Sequence, residues 1–219
     1  VRLAGGPLRA FHGLMAPISG TRPFYLDRNR PYWTRDLPEA RALYLNFNQV
    51  AEMDTLKLAT FSQRLAMQLR SASYNNLVVD VRLNGGGNTF LLPPLIQAIA
   101  SFAVADTTRR VYVITSRHTY SAAQNFVSKL EWLLNPVFVG EPTGSSPNFT
   151  GEGTATVLPY SRLMVGISNR MHMNSDWEDK RAWIAPQLPV PLSSADFFSG
   201  RDPALQAIIS LVNQKPPVM

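Results

Sequence analysis

The run Leu77-Val78-Val79-Asp80-Val81-Arg82-Leu83, passing directly into Asn84-Gly85-Gly86-Gly87-Asn88, restricts the fold of this chain more than any other stretch. A short, valine-rich and nearly continuous apolar segment is the pattern of a strand covered on both faces, which requires parallel neighbours and helices on either side. The glycines then end it in backbone that no side chain obstructs. Its neighbours are legible too. Leu43, Leu45 and Phe47 alternate with Tyr44, Asn46 and Asn48, which predicts a strand near 42–50, and Arg110 to Thr115 and Val137 to Val139 predict two more.

Between these strands the apolar period becomes helical. Leu58, Phe61, Leu65 and Leu69 predict a helix over about 54–72, with Asp54 or Thr55 as its cap and Arg70 near its end. Phe90 to Val104 predicts a second, with Pro93 and Pro94 tolerated in the first turn. Ser121 opens a third, whose Ala123, Phe126, Val127, Leu130 and Leu134 form one stripe that Pro136 terminates. Strands alternating with helices over 42–140 imply βαβ crossovers, an α/β class and a mostly parallel sheet. Beyond it, Thr154 to Leu158 and Arg162 to Ser168 predict a C-terminal β-hairpin around Pro159-Tyr160-Ser161. The proline-bearing stretch Ile184 to Leu192 is expected to cross in extended form, and Asp202 to cap a last helix, Ala204 to Asn213.

A chain of 219 residues supports one sizeable core, expected over 39–215, with 1–38 as an extended segment packing on it through Phe24-Tyr25-Leu26 and Tyr32-Trp33. No apolar run is long enough to span a bilayer, because Pro93 and Pro94 interrupt the best candidate. The chain opens on Val1 without a charged-then-apolar leader, as expected of one from which a leader or longer N-terminal region has been removed. It has no cysteine, which excludes disulfides, thiol catalysis and thiolate metal sites. The formal charge of +6 is scattered rather than gathered on one face, so no nucleic-acid partner is expected. His12, His118 and His172 show no ligand spacing, so neither a metal nor any other cofactor is expected.

Successive glycines after a buried strand can present N–H groups to a developing negative charge, although a plain strand-to-helix turn uses the same residues. The dinucleotide fingerprint fails at Phe90, and no Gly-Lys-Ser/Thr follows for a Walker-type loop. Ser121 falls where a strand ends and a helix begins, near free N–H groups and the positive end of a helix dipole. Serine is also a common N-cap, so its position alone leaves both roles open.

Taken together, Leu77–Leu83 with Asn84-Gly85-Gly86-Gly87, then Thr119-Tyr120-Ser121-Ala122-Ala123-Gln124, then Val139-Gly140-Glu141-Pro142-Thr143-Gly144 resemble, in order and spacing, the tail-specific (C-terminal processing) serine protease family, which includes the tricorn core protease. The resemblance covers about 40–212, and Asp80, Arg82, Asn84, Gly86 and Gly87 match the family's Asp-x-Arg-x-Asn-x-Gly-Gly. It implies a ClpP/crotonase-like spiral of ββα units and a peptide hydrolase acting on peptide or protein substrates. By the same resemblance Ser121 is the nucleophile, the amides around Gly86 and Gly87 and of Ala122 are the oxyanion donors, and a secreted or periplasmic setting is implied. Composition does not indicate an oligomeric state.

The family's lysine, the usual base, falls here on Ser146, and its Ser-Ala-Ser-Glu reads Ser-Ala-Ala-Gln. The chain is thus similar to a lysine-less branch with a Gly-Glu-Pro-Thr-Gly-x-x-Pro-Asn loop, matched at Gly140 to Gly144, Pro147 and Asn148. A second hydroxyl cannot deprotonate a serine at neutral pH, so Ser146 is expected to relay or orient only. Lys129 lies about 12 Å further along the same helix. His118, three residues before Ser121 in the sequence, is the leading candidate base, with His12 and His172 as alternatives and Glu141 or Glu152 as orienting carboxylates. A catalytically inactive module that binds a peptide or apolar ligand in the same cleft is the competing expectation, and a crotonase-type acyl-CoA enzyme the third.

Overall fold

The computed structural model describes residues 22–71 and 73–214. Its strands are β1 (Tyr32–Leu37), β2 (Ala42–Phe47), β3 (Asn76–Asp80), β4 (Arg110–Thr115), β5 (Val137–Gly140), β6 (Phe149–Val157), β7 (Met164–His172) and β8 (Leu188–Pro189). Its helices are α1 (Leu58–Ser71), α2 (Pro93–Val104), α3 (Ala122–Leu134), α4 (Ser194–Phe198) and α5 (Pro203–Asn213). One sheet runs in the order β1-β2-β3-β4-β5-β8, parallel throughout except for β1, which lies antiparallel to β2. This is a mixed α/β fold with a mostly parallel sheet.

Both faces of the sheet are covered, because successive side chains of a strand point to opposite sides. Leu43, Leu45, Phe47, Leu77, Val79, Val111 and Val113 face α1, α2 and α3, whose Leu65, Leu95, Ile99, Phe126 and Leu130 complete that layer. Tyr44, Val78, Tyr112, Ile114 and Val139 face the other way, onto Trp33, Leu37 and the α5 residues Ala204, Leu205 and Ile208. The alternation in β2 suggests one wet face, yet every residue of that strand is buried. Tyr44 is covered by the rings of Phe24 and Trp33, and its hydroxyl donates to Asp80 at 2.6 Å. Residues 32–37 are therefore hydrogen-bonded into the sheet as its edge strand, rather than only laid upon it.

Several boundaries differ from the sequence expectation for local reasons. α1 starts at Leu58 because the Glu52 carboxylate, not Asp54 or Thr55, accepts the Leu58 N–H at 2.8 Å. A 3-10 turn, Thr89–Leu91, precedes α2, and the Asn88 side chain accepts from Phe90 N–H. Within the crossing from Ile184, only Leu188–Pro189 pairs with β5, since proline cannot donate to a ladder. The short α4 carries no long apolar stripe; the Ser193 hydroxyl caps it by accepting from Asp196 N–H. Asp202 caps α5 as expected, accepting from Leu205 N–H. The β6–β7 hairpin is longer than its turn signal suggests and is exposed along most of its length, with Phe149 and His172 tucked in at its root.

Candidate functional site

The glycine turn is held from beneath by alternate residues of the strand that leads into it. Arg82 is buried, and its guanidinium donates from Nε to Asp80 (3.0 and 2.9 Å) and from Nη1 and Nη2 to Asp202 (2.8 and 3.0 Å). Burial pulls the Arg82 pKa down, but Asp80 and Asp202 outweigh it and hold the group firmly protonated. Burial beside Asp80 pushes the Tyr44 phenol well up, so it stays neutral and donates. This network fastens the end of β3 to the start of α5.

Asn84, fully buried, then ties together what must meet. Its side chain donates to the Phe47 carbonyl at 2.8 Å and accepts the Gly86 N–H at 2.9 Å, while its own carbonyl accepts the Tyr120 N–H at 3.2 Å. Strand, glycine turn and the residue before Ser121 thus meet at one residue, the first two through its side chain and the third through its backbone. Gly86 and Gly87 have φ of +110° and +138°, values that residues with a Cβ rarely adopt. A Cβ on Gly86 would stand 2.7 Å from Ser121 Cβ and 3.0 Å from both Ser121 Oγ and Ala122 N. The turn and the serine are therefore in direct contact.

Ser121 itself is strained. Its φ of 57° and ψ of −127° lie in a region nearly reserved for glycine, at a cost of about 1–3 kcal/mol. The turn resembles the sharp strand-to-helix elbow that exposes a nucleophile. Its hydroxyl makes no capping bond to α3, so the ordinary cap role is absent, and among the described residues Oγ has no hydrogen-bond partner. The N–H of Gly86 is spent on Asn84, which corrects the expectation that it is a free donor. The amides of Gly87 and Ala122 carry no protein acceptor among the described residues. Two unpaired N–H groups at a glycine turn and a helix N-terminus suit a developing oxyanion.

The other residues singled out from the sequence are distributed differently. His118 is exposed and lines a cavity of about 300 Å³ with Tyr25, Arg82, Glu141, Val190 and Pro203, whereas Ser121, Gly86 and Ala122 do not line it. Glu141 faces Arg117 at 3.7 Å. The Ser146 hydroxyl donates to the Asn148 carbonyl at 2.6 Å, so it braces its own loop. Lys129 lies over the Trp132 ring. His12 falls outside the described residues. Among the described residues no group of three or more His, Cys, Asp or Glu is arranged to hold a metal ion, and no helix is long and apolar enough to cross a membrane.

His172 is placed otherwise. Its ring stacks on Phe149, its cross-strand partner, at 4.9 Å and 19°, and its Nε2 stands 3.3 Å from Glu152 Oε1. Phe149 in turn meets the ring of Tyr120 at 6.4 Å. Asn174 donates to Asn125 Oδ1 at 2.7 Å, Asn125 donates to Thr89 Oγ1 at 2.8 Å, and the Asn125 N–H bonds the Ser121 carbonyl at 3.0 Å. The β7 end, the α3 start and the end of the glycine turn are thus joined. Sequence spacing did not rank this histidine, because its pairing with Phe149 and Glu152 arises from strand register.

No protein-family model matches the sequence, and no curated protein matches it. Solved structures do match in fold. A candidate peptidase from Parabacteroides merdae is 20% identical with a TM-score of 0.57 over 85% of this chain. A candidate S41 protease from Bacteroides fragilis is 15% identical with a TM-score of 0.52 over 82%. The photosystem II D1 C-terminal processing protease is 15% identical with a TM-score of 0.52 over 84%. The chain spans 65%, 56% and 53% of their respective lengths.

Proposed function

We propose that this chain, whose structural neighbours are S41-type peptidases, is a serine-type peptidase built on a ClpP/crotonase-like spiral and acting on peptide or protein substrates without a cofactor. Ser121 Oγ attacks the scissile carbonyl carbon, and the carbonyl oxygen, gaining negative charge, is received by the N–H groups of Gly87 and Ala122. The α3 N-terminus adds its partial positive charge at the same point. Collapse of the tetrahedral intermediate breaks the C–N bond and leaves an acyl group on Ser121, which water then removes.

The observation that carries this assignment is Ser121, strained in its backbone and packed against Gly86, with a hydroxyl that has no hydrogen-bond partner among the described residues. A structural cap has no use for that backbone strain, whereas a nucleophile presented at an elbow does. A second reading, a peptide-binding module that has lost the chemistry, is favoured by one observation: the position of the family lysine holds Ser146, whose hydroxyl is engaged with Asn148.

Incubation with an unfolded polypeptide, followed by mass-spectrometric mapping of new termini, tests both. Cleavage by the wild type that Ser121→Ala abolishes supports the peptidase. Calorimetric peptide binding that survives Ser121→Ala, with no new termini from the wild type, supports the module. Neither turnover nor binding overturns both.

A further inference from the structure

We infer that the His172 imidazole is the general base for Ser121 and that the Glu152 carboxylate positions it; this rests on the peptidase assignment above. Two independent contacts align the end of β7 with the start of α3. Tyr120, immediately before Ser121, meets Phe149, on which His172 stacks. One turn further along the helix, Asn125 meets Asn174, two residues beyond His172. The segment 172–174 is thus tethered beside 120–125 at both ends, through the Phe149 ring at His172 and directly at Asn174.

The surroundings of this imidazole are built for it. Strand alternation would direct Glu152 and His172 to opposite faces of the hairpin, since Phe149 is the cross-strand partner of His172 and Glu152 lies an odd number of residues from it. Glu152, however, has a left-handed φ of 49°, which breaks the alternation, and its Oε1 reaches His172 Nε2. At the same edge of the ring a side chain at residue 151 would crowd it: a Cβ on Gly151 would stand 3.2 Å from Cδ2 and Nε2 of His172 and 3.3 Å from Phe149. Stacking, a carboxylate and a bare backbone thus fix the ring, although His172 retains 19% side-chain exposure. Among the described residues Glu152 is the one charged group within ion-pairing distance of it.

The proton balance follows from that orientation. With Nε2 turned toward the Glu152 carboxylate, 3.3 Å away, the Nδ1 lone pair is left to accept. As the Ser121 Oγ–carbon bond forms, the hydroxyl proton passes to Nδ1, directly or through one water. The resulting imidazolium is stabilised by Glu152, and the same proton goes to the departing amine nitrogen as the C–N bond breaks. Water repeats the cycle on the acyl group, returning a proton to Ser121.

The test measures the rate at which a fluorophosphonate labels Ser121, from pH 5 to 9, in the wild type, His172→Ala, Glu152→Gln and Glu152→Asp, with thermal unfolding as a check on folding. The wild type is expected to lose rate on the acid side, as a base that must be neutral to accept the proton requires. His172→Ala lowers the rate by about 10²-fold or more and abolishes that limb, and added imidazole restores part of it. Glu152→Gln lowers the rate less, since the ring loses the carboxylate that orients it, and Glu152→Asp recovers part of the effect. A folded His172→Ala that labels at the wild-type rate overturns the inference while leaving the peptidase intact. A wild type that never labels overturns the peptidase assignment itself.

Discussion

A single methyl group at Gly86 measures how tightly the glycine turn and the serine are matched. In Gly86→Ala the new carbon would fall 2.7 Å from Ser121 Cβ and 3.0 Å from Oγ, both against a residue already strained at φ 57°. Neither side can yield freely, because the Gly86 N–H is held by Asn84 and its carbonyl by the Val50 N–H at 2.9 Å. Holding alanine at a φ near +110° costs about 1–3 kcal/mol of stability. Displacing Oγ by about 1 Å from its attacking position costs about 10²-fold in rate. That factor corresponds to about 2.7 kcal/mol of barrier. The matched control is Gly85→Ala, where a Cβ meets nothing within 4 Å and φ is outside the left-handed region. Urea unfolding and fluorophosphonate labelling of both variants give stability and reactivity separately. Gly86→Ala should lose about 10²-fold in labelling rate while remaining folded. Gly85→Ala should stay within about 1 kcal/mol of the wild type in stability and label normally. Equal labelling by both variants at the wild-type rate would refute the match between the turn and Ser121.

The remaining predictions address the supports of the site and the residues that stand apart from it. Asp202→Ala leaves buried Arg82 with Asp80 alone and should cost about 3–5 kcal/mol in urea unfolding, far more than an ordinary helix cap. Ser146→Ala removes one hydrogen bond to Asn148, worth about 1 kcal/mol, and should leave the Ser121 labelling rate unchanged. His118→Ala, at an exposed position, should do the same with little change in stability. Asp179 is held below its ordinary carboxylate range first by hydrogen bonds from Arg181, with Ser175 adding to this against the opposing effect of burial. Its folded pKa is thus depressed, so its stabilisation is complete above the unfolded value of about 4 and is lost as pH falls below that. Unfolding midpoints of the wild type and Asp179→Asn should accordingly differ at pH 7 and converge in strong acid, and a gap that persists there would contradict this account.

The strands and helices of the parallel sheet were legible because burial on two faces leaves nearly continuous apolar runs, as in Leu77 to Val79 and Val111 to Ile114. The mixed α/β fold follows from their alternation. Boundaries were less legible where a distant side chain sets them, as the Glu52 carboxylate does for α1. Tyr44 and Asn46 read as a wet face, since nothing local to β2 announces that Phe24 and Trp33 will cover it. The contact between Ser121 and the glycine turn was expected from the order of motifs. The loss of the Gly86 amide to Asn84 was not, because a side chain bonding a backbone group two residues on leaves no mark on hydrophobic periodicity. His172 was hardest to rank against His118. Proximity in sequence favours His118, whereas hairpin register, which no pattern near Ser121 encodes, brings Phe149, Glu152 and His172 together.

The most direct measurement is the site of covalent modification by a fluorophosphonate, located by mass spectrometry on the intact chain and its peptides. A nucleophile at the elbow facing unpaired amides predicts one adduct, on Ser121, absent from Ser121→Ala and slowed in Gly86→Ala. An adduct on another residue, or none at saturating reagent in a folded wild type, would contradict it.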